Sequence, residues 1–216
     1  MKSVLVIGMG RFGRHLSAEM IRLGNEVMVV DENAKLIDEL PPIYTDSSIG
    51  DCTNEGVIAS IGVKDFDLCF VTIGENFESS LIITSLLKKH GAKYVCTKAN
   101  REIQAEFLYK IGADEVVYPE KEMASRLAVR YNARNVFDFI PLAGEYSIYE
   151  IPIARSWENK TVAELQILRK YHINIVAVKR EGEIRPLFSA DFVFLAGDHI
   201  IAVGRESDIN KITSKS

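Results

Sequence analysis

Three glycines near the N-terminus constrain the fold of this chain more than any other feature. Gly8, Gly10 and Gly13 form a GxGxxG motif that follows the apolar run Ser3–Ile7 and opens a stretch with helical spacing. The first glycine permits a tight turn, the second lets a phosphate approach the backbone, and the third lets a helix pack on the sheet. The helix N-terminus then offers free N–H groups to an anion. The motif therefore predicts a dinucleotide-binding strand–turn–helix unit.

An acidic residue in the expected place supports this prediction. Asp31 ends the second predicted strand, about 20 residues after Gly10. A carboxylate there can accept hydrogen bonds from both ribose hydroxyls of an adenosine, and it repels a 2′-phosphate, so NADP is disfavoured. ATP, ADP, AMP and NAD(H) all present a free 2′-hydroxyl and remain compatible. The alternative, in which the glycines only make a turn, leaves this coincidence of strand, helix and acid unexplained.

Short apolar runs and amphipathic stretches alternate along the first half of the chain. Near-continuous apolar runs suit strands that are buried on both faces of a parallel sheet, and the stretches between them have helical spacing. This alternation predicts an α/β fold with a Rossmann-like doubly wound parallel sheet. The predicted strands are Ser3–Ile7, Glu26–Val30, Ile43–Thr45, Leu68–Ile73, Tyr94–Thr97 and Glu115–Tyr118, and the predicted helices are Phe12–Leu23, Asn54–Ile61, Phe77–His90 and Arg101–Ile111.

The pattern changes after Pro119, which ends the last of these strands. A crossover helix is predicted at Glu120–Tyr131, and short alternating runs from Phe137 onwards predict a small α+β C-terminal domain. The predicted helix Thr161–Tyr171 begins with a capping box that Glu164 completes. The other elements predicted in this domain are strands at Tyr146–Ile151, Ile173–Lys179, Phe192–Leu195 and His199–Val203, with a tight turn at Glu181-Gly182.

A length of 216 residues leaves room for one medium and one small domain. We place the boundary near Val136, so that residues 1–135 form the nucleotide-binding domain and residues 136–216 the smaller one. The net charge is −4 with the charges interspersed, which argues against nucleic acid as a partner. A membrane helix needs about 20 consecutive apolar residues, and no run here approaches that length. We therefore expect a cytoplasmic protein that inserts no segment of its own into a membrane.

Two further loops are expected to complete the nucleotide pocket. Asp51, Cys52 and Thr53 follow the third predicted strand and would lie beside an adenine. A role for Asp51 or Thr53 as a helix cap remains open, and both roles are compatible. Gly74 and Asn76 follow the fourth predicted strand across the point where the strand order reverses, where they can cover the phosphates.

Arg11 and Phe12 lie between the second and third glycines, and we include both in the phosphate-binding loop. An arginine side chain here can fold over a pyrophosphate, since its planar fork matches phosphate oxygens. It can equally reach a neighbouring subunit, or be an ordinary solvated surface residue. The spacing alone leaves these alternatives open.

No catalytic motif accompanies the nucleotide pocket. Tyr94 and Lys98 match the YxxxK spacing of short-chain dehydrogenases, but in a strand they would be about 13 Å apart rather than one helical turn. The scattered Cys52, Cys69 and Cys96 favour neither a disulfide framework nor a zinc site. A sensor is thus favoured over an enzyme. The alternative is an NAD-dependent oxidoreductase whose small C-terminal domain completes the active site.

The combination of motifs resembles a known family. The glycine loop, the Gly50–Thr53 segment, Ile111–Asp114 and Tyr118–Met123 together are similar to the KtrA/TrkA family of cytoplasmic potassium-uptake regulators. The resemblance covers essentially the whole chain. It implies an RCK N-terminal domain followed by an RCK C-terminal domain, and a homo-oligomer that assembles from dimers into a ring of eight. It also implies that this ring docks on an integral-membrane, potassium-translocating subunit of KtrB/TrkH type.

The resemblance also implies roles for individual residues around an adenine nucleotide. Glu120 would lie near a γ-phosphate and share a cation with it, although a carboxylate favoured by a helix N-terminus is an equally good interpretation. The other implied roles are phosphate binding by Gly8, Gly10 and Gly13, ribose binding by Asp31, adenine contact by Asp51 and Cys52, and phosphate contact by Lys98 and Arg11.

The small domain of this family dimerises, and in some members it binds cyclic di-AMP between its two copies. Arg169, Asn174, Ile175 and Pro186 lie where such contacts would fall. A plain core role for residues 167–168 and 173–175 remains an equally open interpretation.

Overall fold

The computed structural model describes residues 1–132, 138–142, 144–186 and 189–213. The chain divides into two compact units, Met1–Glu120 and Lys121–Ser216. The domain boundary expected near Val136 falls outside the described residues and stays a prediction.

The first unit is built on a six-stranded parallel sheet whose strand order is β3-β2-β1-β4-β5-β6. This order reverses between β1 and β4, as in doubly wound nucleotide-binding folds. The predicted fold class is therefore confirmed. The strands are β1 Ser3–Ile7, β2 Glu26–Asp31, β3 Asp46–Ile49, β4 Leu68–Val71, β5 Val95–Lys98 and β6 Glu115–Val117, and the helices are α1 Arg11–Arg22, α2 Ala34–Asp38, α3 Glu55–Ile61, α4 Phe77–Lys89 and α5 Glu102–Lys110.

The central strand β1 supplies apolar side chains to both faces of this sheet. Val4 and Val6 join one buried cluster, and Leu5 and Ile7 join another. Because successive side chains of a strand point to opposite faces, an unbroken apolar run of this kind is buried on both sides. This double burial fixes β1, and hence the turn that follows it, in the middle of the unit.

The third strand is shifted from its predicted position. The sequence pattern predicts a strand at Ile43–Thr45, but β3 runs from Asp46 to Ile49, and the short helix α2 precedes it. The prediction was wrong because β3 is an edge strand that pairs on one side only, with β2. Its polar residues Ser47 and Ser48 therefore tolerate solvent, and the apolar signal used for buried strands does not apply.

The helix α6, Pro119–Asn132, begins at the end of the first unit. The second unit holds a five-stranded antiparallel sheet in the order β10-β9-β11-β8-β7. One buried cluster that includes Trp157, Phe194 and Ile200 packs inside this unit. The strands are β7 Asp138–Pro141, β8 Tyr146–Pro152, β9 Asn174–Arg180, β10 Glu183–Pro186 and β11 His199–Arg205, and the helices are α7 Val162–Leu165, α8 Ile167–Tyr171 and α9 Glu206–Thr213.

Two predictions in this unit are corrected. The single helix predicted at Thr161–Tyr171 is split, because Gln166 has a left-handed backbone with φ of 47°. The strand predicted at Phe192–Leu195 is reduced to an isolated bridge between Thr161 and Val193. The capping box is confirmed, since Thr161 and Glu164 exchange hydrogen bonds of 3.2 and 2.8 Å.

In the described ranges, no helix combines the length and the apolar character that a membrane crossing requires.

Candidate nucleotide-binding site

The turn between β1 and α1 is held by close backbone contacts. Gly8 has φ of +98°, a conformation that a side chain disfavours, and its N–H donates to the Val30 carbonyl at 2.8 Å. A Cβ at Gly13 would lie 2.0 Å from the Gly8 oxygen. Helix α1 therefore packs directly against the turn, and only glycine permits that approach.

Gly10 lies at the open side of the same turn. It is the N-cap of α1, with φ of −65° and ψ of −174°, and no side chain in the described part of the protein caps the helix there. The first N–H groups of α1 are thus available to an anion, and the helix dipole favours negative charge at this position. Gly10 is exposed while Gly13 is buried.

Thr72, which follows the neighbouring strand β4, stabilises the turn by hydrogen bonding. This role was not predicted from the sequence. The Thr72 hydroxyl is 2.5 Å from the Gly8 oxygen and 3.0 Å from the Ile7 oxygen, and it can donate to either one. The residue follows β4 and is 5% exposed. A polar residue directly after an apolar strand, at the point where the strand order reverses, is the sequence signal that could have identified it.

Asp31 lies at the end of β2, against the glycine turn. Its carboxylate accepts hydrogen bonds from the backbone N–H groups of Met9 at 2.6 Å and Asn33 at 2.8 Å. A carboxylate offers about four lone-pair sites. After these two contacts the carboxylate can still accept the ribose hydroxyls that the sequence pattern predicts for it.

The segment after β3 is ordered by its own side chains. Asp51 accepts hydrogen bonds from the side chain of Thr53 at 2.6 Å and from its N–H at 2.9 Å, and these bonds lower the pKa of Asp51. Burial, with the nearby charge of Asp51, raises the pKa of the Cys52 thiol to about 12. The cap of α3 is Asn54, which accepts from Gly56 N–H at 2.9 Å. The interpretation of Asp51 or Thr53 as the cap was therefore wrong.

The loop after β4 is tied to the loop after β5. Asn76 caps α4 by accepting from the Ser79 N–H at 3.1 Å. The side-chain amide of Asn100 donates to the Gly74 carbonyl, and the Asn100 N–H donates to the Gln104 side chain at 2.9 Å. Asn100 was not predicted, because its partner is distant in sequence and no motif marks it.

These loops surround two cavities at the carboxyl ends of the parallel strands. The first has a volume of about 230 Å³, and the second has a volume of about 580 Å³. Both are lined by Gly10 and Gly74, so one ligand can extend from the first into the second. Of the predicted site residues, Gly8, Gly10, Asp31, Asp51, Cys52, Thr53, Gly74 and Asn76 line the first cavity, Gly10, Arg11, Phe12, Gly74, Lys98 and Glu120 line the second, and Gly13 lies behind the turn.

The second cavity contains a charged pair. The Lys98 ammonium lies 2.6 Å from a Glu120 carboxylate oxygen and 5.7 Å from the centre of the Phe12 ring. The hydrogen bond from Lys98 lowers the pKa of Glu120, and the positive charge of Arg11 adds to this effect. Among the described residues no group of three or more His, Cys, Asp or Glu side chains could hold a metal ion. A cation at Glu120 would therefore need further ligands from a bound phosphate or water, and it stays a prediction.

A third cavity, of about 790 Å³, lies in the second unit. Arg169, Asn174 and Ile175 line it, whereas Pro186 does not belong to its lining. The alternative core interpretation holds for Ile167, which is buried, but not for the neighbouring Leu168, which is 64% exposed.

Sequence comparison agrees with this architecture. Residues 4–119 match the TrkA-N domain and residues 147–215 match the TrkA-C domain. The chain is 36% identical to the Ktr system potassium uptake protein C of Bacillus subtilis (strain 168), over 99% of this chain and 97% of that protein. The chain belongs to the KtrA/TrkA family. Two Ktr system potassium uptake proteins A of this family, from Bacillus subtilis (strain 168) and Vibrio alginolyticus, are 32% and 31% identical over 99% of this chain and cover 96% and 97% of their own lengths.

Solved structures support the same fold at lower identity. The GsuK RCK domain aligns over 100% of this chain and 48% of its own length, with a TM-score of 0.68 and 17% identity. The GsuK channel bound to NAD aligns over 96% of this chain and 38% of its own length, with a TM-score of 0.65 and 17% identity. This family member thus spans less than half of either solved chain, and at these identities the likeness concerns the fold alone.

Proposed function

We propose that this chain is a nucleotide-sensing regulatory subunit that gates a membrane potassium transporter. The observation that carries the proposal is the pocket of Gly8, Gly10 and Asp31, in a chain that is 36% identical over nearly its whole length to a Ktr system potassium uptake protein. The relatives are named as potassium uptake proteins of the Ktr system rather than as enzymes, so the role proposed here is regulatory and not catalytic.

The ligand proposed is an adenine nucleotide: ATP, ADP, AMP or NAD(H). Proteins of similar fold have been solved with such ligands, namely the GsuK channel with NAD, GsuK with ADP and a Kef C-terminal domain with AMP. In this chain the N-terminus of α1 would receive the phosphates and Asp31 the ribose. The segment from Asp51 to Thr53 would contact the adenine, and Lys98 and Arg11 would receive the outer phosphates.

The partner proposed is an integral-membrane, potassium-translocating subunit of KtrB/TrkH type, held at the cytoplasmic face. The ring of eight subunits remains part of the proposal, as do a cation shared by Glu120 and a phosphate, and cyclic di-AMP at the cavity lined by Arg169 and Asn174. Gating would follow from differential affinity, since a ligand shifts a conformational equilibrium only by binding one state more tightly than the other.

Calorimetric titration of the purified chain tests the ligand. We expect ATP, ADP, AMP and NAD(H) to bind, and NADP to bind at least tenfold more weakly because its 2′-phosphate faces Asp31. The variant Asp31→Ala serves as the control, since it removes both the ribose acceptor and the repulsion. Equal affinity for NAD and NADP in the wild type would contradict the assignment of the ribose site.

Transport measurements test the regulatory role. Potassium flux through the membrane subunit in liposomes is measured with and without this chain, at saturating ATP and at saturating ADP. We expect the flux to depend on the chain and on which nucleotide is present. Flux that is indifferent to the chain would refute the proposal, and steady consumption of NADH with a reducible substrate would favour an oxidoreductase instead.

A further inference from the structure

The Lys98–Glu120 pair is asymmetric in its exposure to solvent. The side chain of Lys98 is 10% exposed, whereas that of Glu120 is 62% exposed. A largely buried ammonium needs a partner that offsets its lost hydration. An exposed carboxylate regains most of its hydration when it moves away. Lys98 therefore needs a neighbouring anion, and Glu120 can move away from it with a small loss of free energy.

A ligand phosphate would reach the same ammonium. The N-terminus of α1 at Gly10, which no side chain of the described residues caps, lies on the wall shared by the two cavities. A phosphate chain that starts there and extends away from the ribose enters the second cavity, where Lys98 lies within 3.4 Å of the position that a Cβ on Gly74 would take. Each added phosphate brings more negative charge towards Lys98, and also towards the Glu120 carboxylate.

Two anions that share one ammonium repel each other. We propose that Glu120 is a specificity-determining residue that competes with the ligand phosphates for Lys98 and so sets how the pocket discriminates ligands by charge. The inference rests on the proposed function, because it assumes an adenine nucleotide in this cleft. The competition acts in the absence of a divalent cation, so it is separate from any cation that Glu120 shares with a phosphate.

The test measures, by calorimetry in EDTA, the affinity for a series of ligands with an increasing number of phosphates. Adenosine, AMP, ADP and ATP are titrated into the wild type and into Glu120→Gln, which keeps the size of the side chain and removes its charge. We expect the gain in affinity of the variant to be close to onefold for adenosine and to rise along the series to roughly fivefold for ATP. A gain that is flat along the series, or a loss that grows along it, would overturn the inference.

Glu75→Gln is the matched control. Glu75 lines the same cavity and is exposed, so its substitution removes an equal charge from the same site, away from the Lys98 hydrogen bond. We expect a smaller and flatter gain, because the Lys98 ammonium is hydrogen-bonded to Glu120, so that Glu120 is the carboxylate whose removal frees it for a phosphate. If the gain in affinity rises equally along the series in the two variants, the effect is one of overall charge, and specific competition for Lys98 is refuted.

A double-mutant cycle tests whether Glu120 acts through Lys98. In a Lys98→Gln background, Glu120→Gln should no longer produce the graded gain. A gain that persists unchanged in that background would overturn the inference. Thermal unfolding of each variant, followed by circular dichroism, establishes that it is folded. If the wild type binds none of the four ligands, the proposed function fails and the inference with it. If the wild type binds them but the gain in affinity of Glu120→Gln is the same for every ligand, only the inference fails.

Discussion

Two glycines of the same turn should differ strongly in their response to alanine. At Gly13, a Cβ would lie 2.0 Å from the Gly8 oxygen and 2.7 Å from the Thr72 hydroxyl oxygen. Such contacts are too short to persist, and the closest one is to backbone, so the turn or helix α1 must move. At Gly10, no heavy atom of the described part of the chain lies within 4 Å of the added Cβ.

The expected magnitudes follow from these distances. Overpacking a core typically costs about 1–3 kcal/mol, and Gly13→Ala should reach or exceed the upper end of that range because the clash is with backbone. Gly10 already has an ordinary backbone conformation, with φ of −65°. Gly10→Ala should therefore change the free energy of unfolding by less than about 1 kcal/mol, because the lower entropy of the unfolded chain is offset by the poorer N-capping of alanine. The two variants should differ by about 3 kcal/mol, or roughly 10–20 °C in the melting temperature of the first unit.

Binding should separate the two substitutions in a different way. The methyl group of Gly10→Ala projects into the space where a phosphate would approach α1, so we expect a folded protein whose affinity for ATP falls at least tenfold. Gly13→Ala should lose affinity because the turn itself is displaced. Far-UV circular dichroism follows the unfolding of both units, while the fluorescence of Trp157, the single tryptophan, follows the second unit alone. Calorimetry measures the binding.

Three outcomes would refute this reasoning. If Gly13→Ala unfolds like the wild type, the close approach of α1 to Gly8 does not limit stability. If Gly10→Ala loses as much stability as Gly13→Ala, the roles assigned to the two glycines are wrong. Retention of full ATP affinity by Gly10→Ala would show that the phosphates do not lie against the N-terminus of α1.

Further substitutions test other contacts of the two units. Thr72→Val keeps the shape of the side chain and removes the hydroxyl that contacts Gly8, so urea unfolding should show a loss of about 1 kcal/mol; no loss would refute the stabilisation of the turn by Thr72. Although burial opposes it, the hydrogen bond from Arg180 lowers the pKa of Asp198 below 3.8. The stability that this pair contributes should therefore be complete above pH 3.8 and should be lost as the pH falls through the lowered pKa of Asp198 in the folded protein. In Asp198→Asn, acid unfolding followed by tryptophan fluorescence should no longer show this pH-dependent loss. Because burial raises the pKa of Cys52 to about 12, its thiol should react with iodoacetamide at pH 8 far more slowly than in urea, and rapid labelling of the native protein would contradict this.

The sequence predicted those parts of the fold whose signal is local. The strands β1, β2 and β4 are apolar runs with buried side chains, and each was found within two residues of its predicted bounds. The edge strand β3 was misplaced because its residues are mostly polar and exposed, and the helix α2 was missed because five residues are too few to show a helical period. The break at Gln166 was missed for a different reason, since a left-handed residue inside a periodic helical pattern leaves that pattern intact.

The site residues also divide into those with a local sequence signal and those without one. The glycines and Asp31 could be predicted, since a strand–turn–helix unit fixes their geometry from neighbours in sequence. The contacts of Thr72 and Asn100 were not predicted, because they depend on which strands become neighbours. Thr72 reaches the glycine turn only because β4 pairs with β1 in a register that places Val71 beside Ile7.

The pairing of Lys98 with Glu120 depends both on which strands are neighbours and on where the helix α6 begins in the sequence. Lys98 pairs in register with Val117 across β5 and β6, and α6 begins two residues later at Pro119, so the first turn of that helix carries Glu120 to the rim of the second cavity. Since α6 runs on to Asn132, a phosphate that displaces Glu120 from Lys98 acts directly on the first turn of a long helix. We therefore expect the charge of the ligand, rather than its adenosine, to determine the state of α6. Hydrogen exchange in residues 121–131 should then differ between ATP and adenosine, each at saturation, and this difference should shrink in Glu120→Gln.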